Sequence, residues 1–301
     1  MSHFNYTGCG IAAIFLWGAM IGLMRTVAEA FGPIGGAALL YTIAAVFLIL
    51  VLGVPKRQHF SLRYLLIGGG LFVSYEICLA LAIGMANSRH QALEMAVINY
   101  LWPAITVVLA VILSKKTVSV WLYPSVGLAF TGVVWTLTGD AGFSITHVVN
   151  NISSNPLTYG LAFMGAVIWA IYCNVTKLIA KGQNAIALFF IATAMVLWIK
   201  YALSQEGPLS FSPIATFNVI LTGVVMGSGY ALWNIAILRG NMLLLATLSY
   251  FTPVISTLFS SLILGVILDT SFWQGVVMVT LGSLLCWWLT RDKPKLIEAT
   301  T

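Results

Sequence analysis

Charge is what this sequence has least of. Only 7% of its 301 residues are Asp, Glu, Lys or Arg, and 60% are hydrophobic. A soluble globular chain carries about 25% charged residues, so a water-exposed domain is excluded. Histidine is scarcer still: His3, His59, His90 and His147 all fall near loops or ends, and there is no HExxH pattern and no P-loop. An enzyme working inside a membrane needs a nucleophile and base, or a metal set, at depth, and direct ATP coupling needs a phosphate-binding loop. No enzymatic activity, cofactor or metal site is therefore expected. The four cysteines, Cys9, Cys78, Cys173 and Cys286, lie singly in apolar stretches and read as small packing residues.

What the chain has in abundance is apolar runs of about 20 residues, enough to cross ~30 Å of hydrocarbon. Ten are visible, near 9–29, 33–53, 64–86, 91–113, 118–137, 157–179, 185–203, 213–237, 241–266 and 271–290. The first lacks a basic segment ahead of it and a small-residue cleavage site, so it reads as a retained helix. Of the 14 Lys and Arg, only Arg25, Arg89 and Lys200 fall on the outer side if the N-terminus is cytoplasmic. That bias places both termini on the cytoplasmic side and accounts for the net charge of +6 without a nucleic-acid partner.

The longest stretch without an apolar run, 138–156, is rich in Asn, Ser, Gly and Pro and reads as an outer connecting loop. It divides the chain into residues 1–148 and 149–301. At an offset of 150, Ala96, Tyr100, Pro103 and Ile105 fall on Ala246, Tyr250, Pro253 and Ile255; with small shifts, Trp17 and Arg25 fall on Trp169 and Lys177, and Tyr75 on Tyr230. An internal duplication explains these matches. Five runs per half is an odd number, so the second half must enter from the opposite side. The expected fold is an all-α membrane protein of ten transmembrane helices in two inverted five-helix repeats, the arrangement of many alternating-access transporters.

Within the runs, Asn99-Tyr100-Leu101-Trp102-Pro103 and Ser249-Tyr250-Phe251-Thr252-Pro253 each put a helix breaker at membrane depth. Such breaks are tolerated where neighbours or a cavity satisfy the freed backbone groups, so Pro103 and Pro253 are candidate hinges. Glu76 is the acid deepest in a run, and a charge there usually faces a bundle interior or cavity. It is a candidate site for an ammonium or a proton, or a partner for a neighbouring helix. Glu94, near a run end beside Arg89 and His90, reads as an interfacial contact. Trp169, Tyr172, Cys173 and Thr176 share one helical face, as do Gly227, Tyr230 and Asn234. Trp102, Trp121 and Trp273 read as interfacial anchors. Gly35-Gly36 and Gly68-Gly69-Gly70 read as close-packing sites. Aromatics with amides, one carboxylate and proline-freed carbonyls suit a small amphipathic solute with an aromatic or apolar side chain.

These features together resemble the drug/metabolite transporter superfamily. Within it, the runs Ser74-Tyr75-Glu76-Ile77-Cys78-Leu79-Ala80-Leu81, Asn99 to Pro103, Ser249 to Pro253 and Gly282-Ser283-Leu284-Leu285-Cys286-Trp287 resemble those of the bacterial inner-membrane aromatic amino acid exporters. The resemblance covers essentially the whole chain. It implies a monomeric basket of helices in membrane lipid, with a central cavity and export of aromatic and other neutral amino acids. It also implies cavity roles for Tyr75, Asn99, Tyr100, Trp169, Tyr230, Asn234 and Tyr250. Some members are associated with efflux of cationic compounds such as methyl viologen, which makes a multidrug or cationic-metabolite exporter the alternative. A channel would differ in lacking saturable flux and counter-exchange.

Overall fold

A chain segment surrounded by hydrocarbon must close its backbone hydrogen bonds on itself, and the apolar runs do so as helices. The computed structural model describes residues 3–54, 60–114, 119–138, 144–181, 183–239 and 242–290, and every regular element among these is helical. In order they are α1 (His3–Phe31), α2 (Pro33–Leu52), α3 (Gly69–Gly84, entered through a π-helical turn at Tyr64–Gly68), α4 (Arg89–Asn99), α5 (Trp102–Ser114), α6 (Leu122–Thr136) and α7 (Ile145–Ser154). Then come α8 (Pro156–Ile179), α9 (Ile186–Ala202), α10 (Pro213–Arg239), α11 (Met242–Ser249), α12 (Thr252–Leu264) and α13 (Thr270–Thr290). Among the described residues seven segments are long and apolar enough to cross a membrane: Tyr6–Phe31, Pro33–Leu52, Tyr64–Gly84, Arg89–Leu113, Pro156–Thr176, Pro213–Trp233 and Thr270–Thr290. Leu122–Thr136, Ile186–Ala202 and Thr252–Leu264 are apolar but shorter. The basic residues Lys56, Arg57, Lys115, Lys116, Arg291, Lys293 and Lys295 lie outside the described residues.

The proline stretches differ from the expected kinks inside continuous helices. The chain breaks before each proline, and Pro103 and Pro253 stand in the first turns of new helices, α5 and α12, where an absent N–H costs nothing. Both breaks use the same bonds: Tyr100 N to Val97 O and Leu101 N to Ile98 O at 3.1 Å each, then Tyr250 N to Thr247 O at 3.3 Å and Phe251 N to Leu248 O at 3.0 Å. These i→i−3 bonds tighten the end of one helix while α5 and α12 restart with Ile105 N to Leu101 O and Ile255 N to Phe251 O.

The stretch 138–156 also departs from the expected loop, because much of it is the amphipathic α7. Ser144 caps it by accepting the His147 amide at 3.3 Å, and Asn151 Nδ2 donates to Leu137 O at 2.9 Å. The Ser and Asn that read as loop residues act here as cap and anchor.

Packing follows a regular scheme. The strongest partners are α1 with α10 and α12, α3 with α8, α2 with α9 and α10, and α6 with α13; α4 and α5 both lie on α8. Where α6 crosses α13 the backbones touch. A Cβ on Gly132 would stand 2.6 Å from Gly275 O, and one on Gly275 would stand 2.5 Å from Gly132 O. Among the glycines read as packing sites, Gly35, Gly36, Gly68 and Gly69 do meet neighbours, but nothing lies within 4 Å of the place a Cβ would take on Gly70. At the start of α2, Gly32 adopts φ 82°, and the Glu206 carboxylate accepts the Ile34 and Gly35 amides at 2.9 Å each. Large apolar side chains such as Leu50, Leu66, Leu178, Leu203, Ile220 and Leu262 point outward, as a lipid-facing surface requires.

Candidate functional site

The packing of α1, α3, α8 and α10 around the two helix breaks leaves a central cavity of about 280 Å³. Trp17, Met20 and Met24 of α1, Tyr75 and Glu76 of α3, Trp169 and Cys173 of α8, and Met226, Tyr230 and Trp233 of α10 form its sides. The breaks contribute Asn99, Tyr100, Trp102 and Pro103, and Ser249, Thr252 and Pro253. Interrupting each helix here brings both prolines and their flanking polar residues to one space.

Two aromatic walls face the cavity. On one, the ring of Tyr75 lies 4.4 Å from Trp169, which stacks on Tyr172 at 4.8 Å with 17° between planes. On the other, Trp17 meets Tyr230 at 5.5 Å and Trp233 at 5.1 Å. Each wall pairs a Trp and a Tyr from facing helices, with geometry in the range that favours aromatic contacts. The two walls thus repeat one another in composition.

The polar groups do not repeat. Glu76 is 1% exposed, and its two oxygens accept from Tyr41 at 2.5 Å and from Tyr230 at 2.6 Å. Hydrogen bonds to a carboxylate at such lengths are the strong, charge-assisted kind. Asn99 Nδ2 donates to the Tyr75 hydroxyl at 3.4 Å, while Asn99 Oδ1 is buried with no partner among the described residues. The indole Nε1 of Trp17 is likewise buried with none among them.

Of the residues singled out from the sequence, Tyr75, Glu76, Asn99, Tyr100, Pro103, Trp169, Tyr230 and Pro253 converge on the cavity. Tyr250 does not line it; its ring lies 6.0 Å from Trp287 of α13. The side chain of Asn234 lies outside the described residues. Trp102 is corrected from interfacial anchor to wall residue, its ring 6.4 Å from Trp169. Cys173, read as packing, also lines the wall. Glu94 meets His90 Nε2 at 3.6 Å, the neighbour expected for it, and is also 5% exposed and accepts from the Tyr159 hydroxyl. The cavity methionines Met20, Met24 and Met226 escaped the sequence reading, and so did two residues with polar or aromatic roles. Trp233 follows Tyr230 by one helical turn, a signal that was available; Tyr41 sits in an unbroken apolar run and has no local sign of its distant partner.

Among the described residues no group of three metal-ligating side chains occurs. A cavity walled by rings, with one carboxylate, is suited to holding a small amphipathic molecule.

Comparison with known proteins agrees. The aromatic amino acid exporter YddG of Salmonella typhimurium (strain 14028s / SGSC 2262) is 45% identical over 293 residues, which is 97% of this chain and 100% of that protein. The aromatic amino acid exporter YddG of Escherichia coli (strain K12) is 44% identical over 97% of this chain and 99% of its own length. That of Ancylobacter novellus is 28% identical over 86% of this chain and 88% of its own. A solved crystal structure aligns with a TM-score of 0.66 at 24% identity, over 97% of this chain and 100% of its own, which shows a common fold. The EamA-like transporter family matches residues 7–138 and again 156–288. With the apolar helices, the paired matches and the central cavity together, the chain is a multi-pass membrane protein that belongs to the EamA-like transporter family.

Proposed function

We propose that this protein is a secondary transporter that exports aromatic and other neutral amino acids across the bacterial inner membrane by alternating access. The observation that carries the reading is the cavity itself, about 280 Å³ with two Trp and Tyr walls beside one carboxylate among the described lining residues. Relatives at 45% and 44% identity over essentially the whole chain, both aromatic amino acid exporters, support the same cargo.

The architecture we infer is ten crossings in two inverted repeats, residues 1–148 and 149–301, with both termini cytoplasmic and the chain working as a monomer in membrane lipid. The repeated family match supports the division, as do the matching bonds at the two helix breaks. Helix pairing fits as well: exchanging the halves turns the α1 and α10 contact into that of α8 and α3, and the α1 and α12 contact into that of α8 and α4 with α5. Pro103 and Pro253 would then mark opposite hinges. Tyr75, Asn99, Tyr100, Trp169 and Tyr230 would contact the cargo, and Glu76 would receive its ammonium or a proton. Asn234 keeps this role on its sequence position alone, and Tyr250 would steady the second break against Trp287.

The test is uptake of labelled phenylalanine into liposomes holding the purified protein, with competing solutes and with or without an imposed pH gradient. Saturable flux and counter-exchange are expected. Absence of phenylalanine flux would overturn the reading, and non-saturating flux would point to a channel.

A further inference from the structure

Glu76 is the only charged side chain among the described residues that line the cavity. Among these residues no Lys, Arg or His joins it, so the described lining offers a carboxylate on the cargo only neutral donors. An ammonium, by contrast, meets a carboxylate with acceptor capacity to spare: it has about four acceptor positions, and the structure uses one for each of two phenols. Those phenols differ in place. Tyr230 belongs to the cavity wall, whereas Tyr41 is fully buried on α2 and is absent from the wall. Tyr41 therefore holds one oxygen from behind while the group faces the cavity.

The repeat sharpens the point. Tyr75 meets Trp169 on one wall as Tyr230 meets Trp17 on the other. Yet Tyr75 is followed by Glu76 and Tyr230 by Ala231. The surfaces that receive a ring are duplicated and the charge is not.

We propose that Glu76, positioned by Tyr41, is an ammonium subsite that makes the amine the obligatory charged group of the cargo and its carboxylate dispensable, so that primary aromatic amines are carried as well as amino acids. The proposal rests on the transport reading above and deepens it.

The experiment compares two analogues as competitors of labelled phenylalanine in liposomes: 2-phenylethylamine, which lacks the carboxylate, and 3-phenylpropionate, which lacks the amine. In the wild type the amine is expected to compete within about threefold of unlabelled phenylalanine, and the acid at least about tenfold more weakly. Glu76→Gln should erase that preference, and Tyr41→Phe, which keeps the ring in place, should narrow it. Equal competition by the two analogues, or a preference that survives Glu76→Gln, would overturn the subsite. An unchanged preference in Tyr41→Phe would overturn the role of Tyr41. The wild-type comparison needs no variant to fold. Direct uptake of labelled 2-phenylethylamine, against protein-free liposomes, separates the two readings. Amine uptake without phenylalanine flux would sink the amino acid cargo and keep the subsite; phenylalanine flux without amine uptake would do the reverse.

Discussion

The hydroxyl of Tyr230 on α10 stands 2.6 Å from Oε1 of Glu76 on α3, while Tyr41 of α2 takes the other oxygen at 2.5 Å. One carboxylate thus ties three helices at the cavity. Tyr230→Phe keeps the ring contacts to Trp17 and to Phe190, the latter at 5.0 Å, and removes only the bond. A hydrogen bond to a charged group contributes about 1.5–3 kcal/mol. The variant is expected to fold with a lowered melting temperature in detergent, and an unchanged one would show that the bond contributes nothing.

Trp169 touches Tyr75, Tyr172, Phe72 and Trp102 at once, the last two at 6.1 and 6.4 Å. Trp169→Phe preserves part of that cluster, while Trp169→Ala removes one wall of the site. Each ring pair adds about 0.5–1.5 kcal/mol beyond its buried area. Trp169→Ala is expected to reach the membrane at reduced level and to lose most phenylalanine flux per molecule, with Trp169→Phe in between. Flux per molecule equal to wild type in Trp169→Ala would remove it from the site.

Much of this was legible in the sequence, for a physical reason: in a chain with so few charges, each polar residue inside an apolar run stands out. Tyr75, Glu76, Asn99 and Tyr230 were found that way, and all line the cavity. What stayed hidden depends on long-range geometry. Nothing local marks Tyr41 as the partner of a residue on another helix, nor Glu206 as the carboxylate that caps α2. Tyr250 matches Tyr100 at an offset of 150 and their backbone settings match as well, yet its side chain meets Trp287. Equivalent backbones did not bring equivalent surroundings. Proline inside an apolar run reads as a helix breaker, and that it opens a new helix is not visible there, since spacing alone does not say which carbonyl the next amide finds.

Because Pro103 occupies the first turn of α5, restoring its N–H removes no strain and fills no missing rung. Pro103→Ala is expected to change stability by about 1 kcal/mol or less, far from the ~3 kcal/mol of a proline inside a helix. The i→i−3 bonds at Tyr100 and Leu101 should persist, which amide hydrogen exchange over that stretch would report. If Pro103 is a hinge, turnover falls several-fold at unchanged melting temperature. Unaltered turnover would leave the break to those bonds alone.

At the crossing of α6 and α13, Gly132 and Gly275 approach so closely that any side chain on either meets the other's carbonyl. Gly132→Val is expected to cost about 1–3 kcal/mol by overpacking and to lower the yield of monodisperse protein. Gly70→Ala is the contrast, with open space at its Cβ position and better helix propensity by about 1 kcal/mol. It should match or exceed wild type in melting temperature. Similar losses in both would mean that the close approach is not what the glycine provides.

Arg25 and Arg89 both bond Glu29, but the two pairs should differ in weight. The Arg25 side chain is 11% exposed, and its Nη1 also donates to the carbonyls of Ile83, Gly84 and Ala86 at 3.1, 3.2 and 2.8 Å, around the end of α3. The Arg89 side chain is 48% exposed and pairs with Glu29 at 2.7 Å, donating also to Leu264 O. Removing one partner from a buried network costs about 3–5 kcal/mol, whereas an exposed pair is worth about 0–1 kcal/mol. Arg25→Ala is therefore expected to abolish stable expression, and Arg25→Lys to rescue it in part, since one ammonium cannot serve three carbonyls and Glu29 in the same geometry. Arg89→Ala should cost little, and added salt should mask the loss further. Equal melting temperatures for Arg25→Ala and Arg89→Ala would show that burial does not set the strength of this cluster.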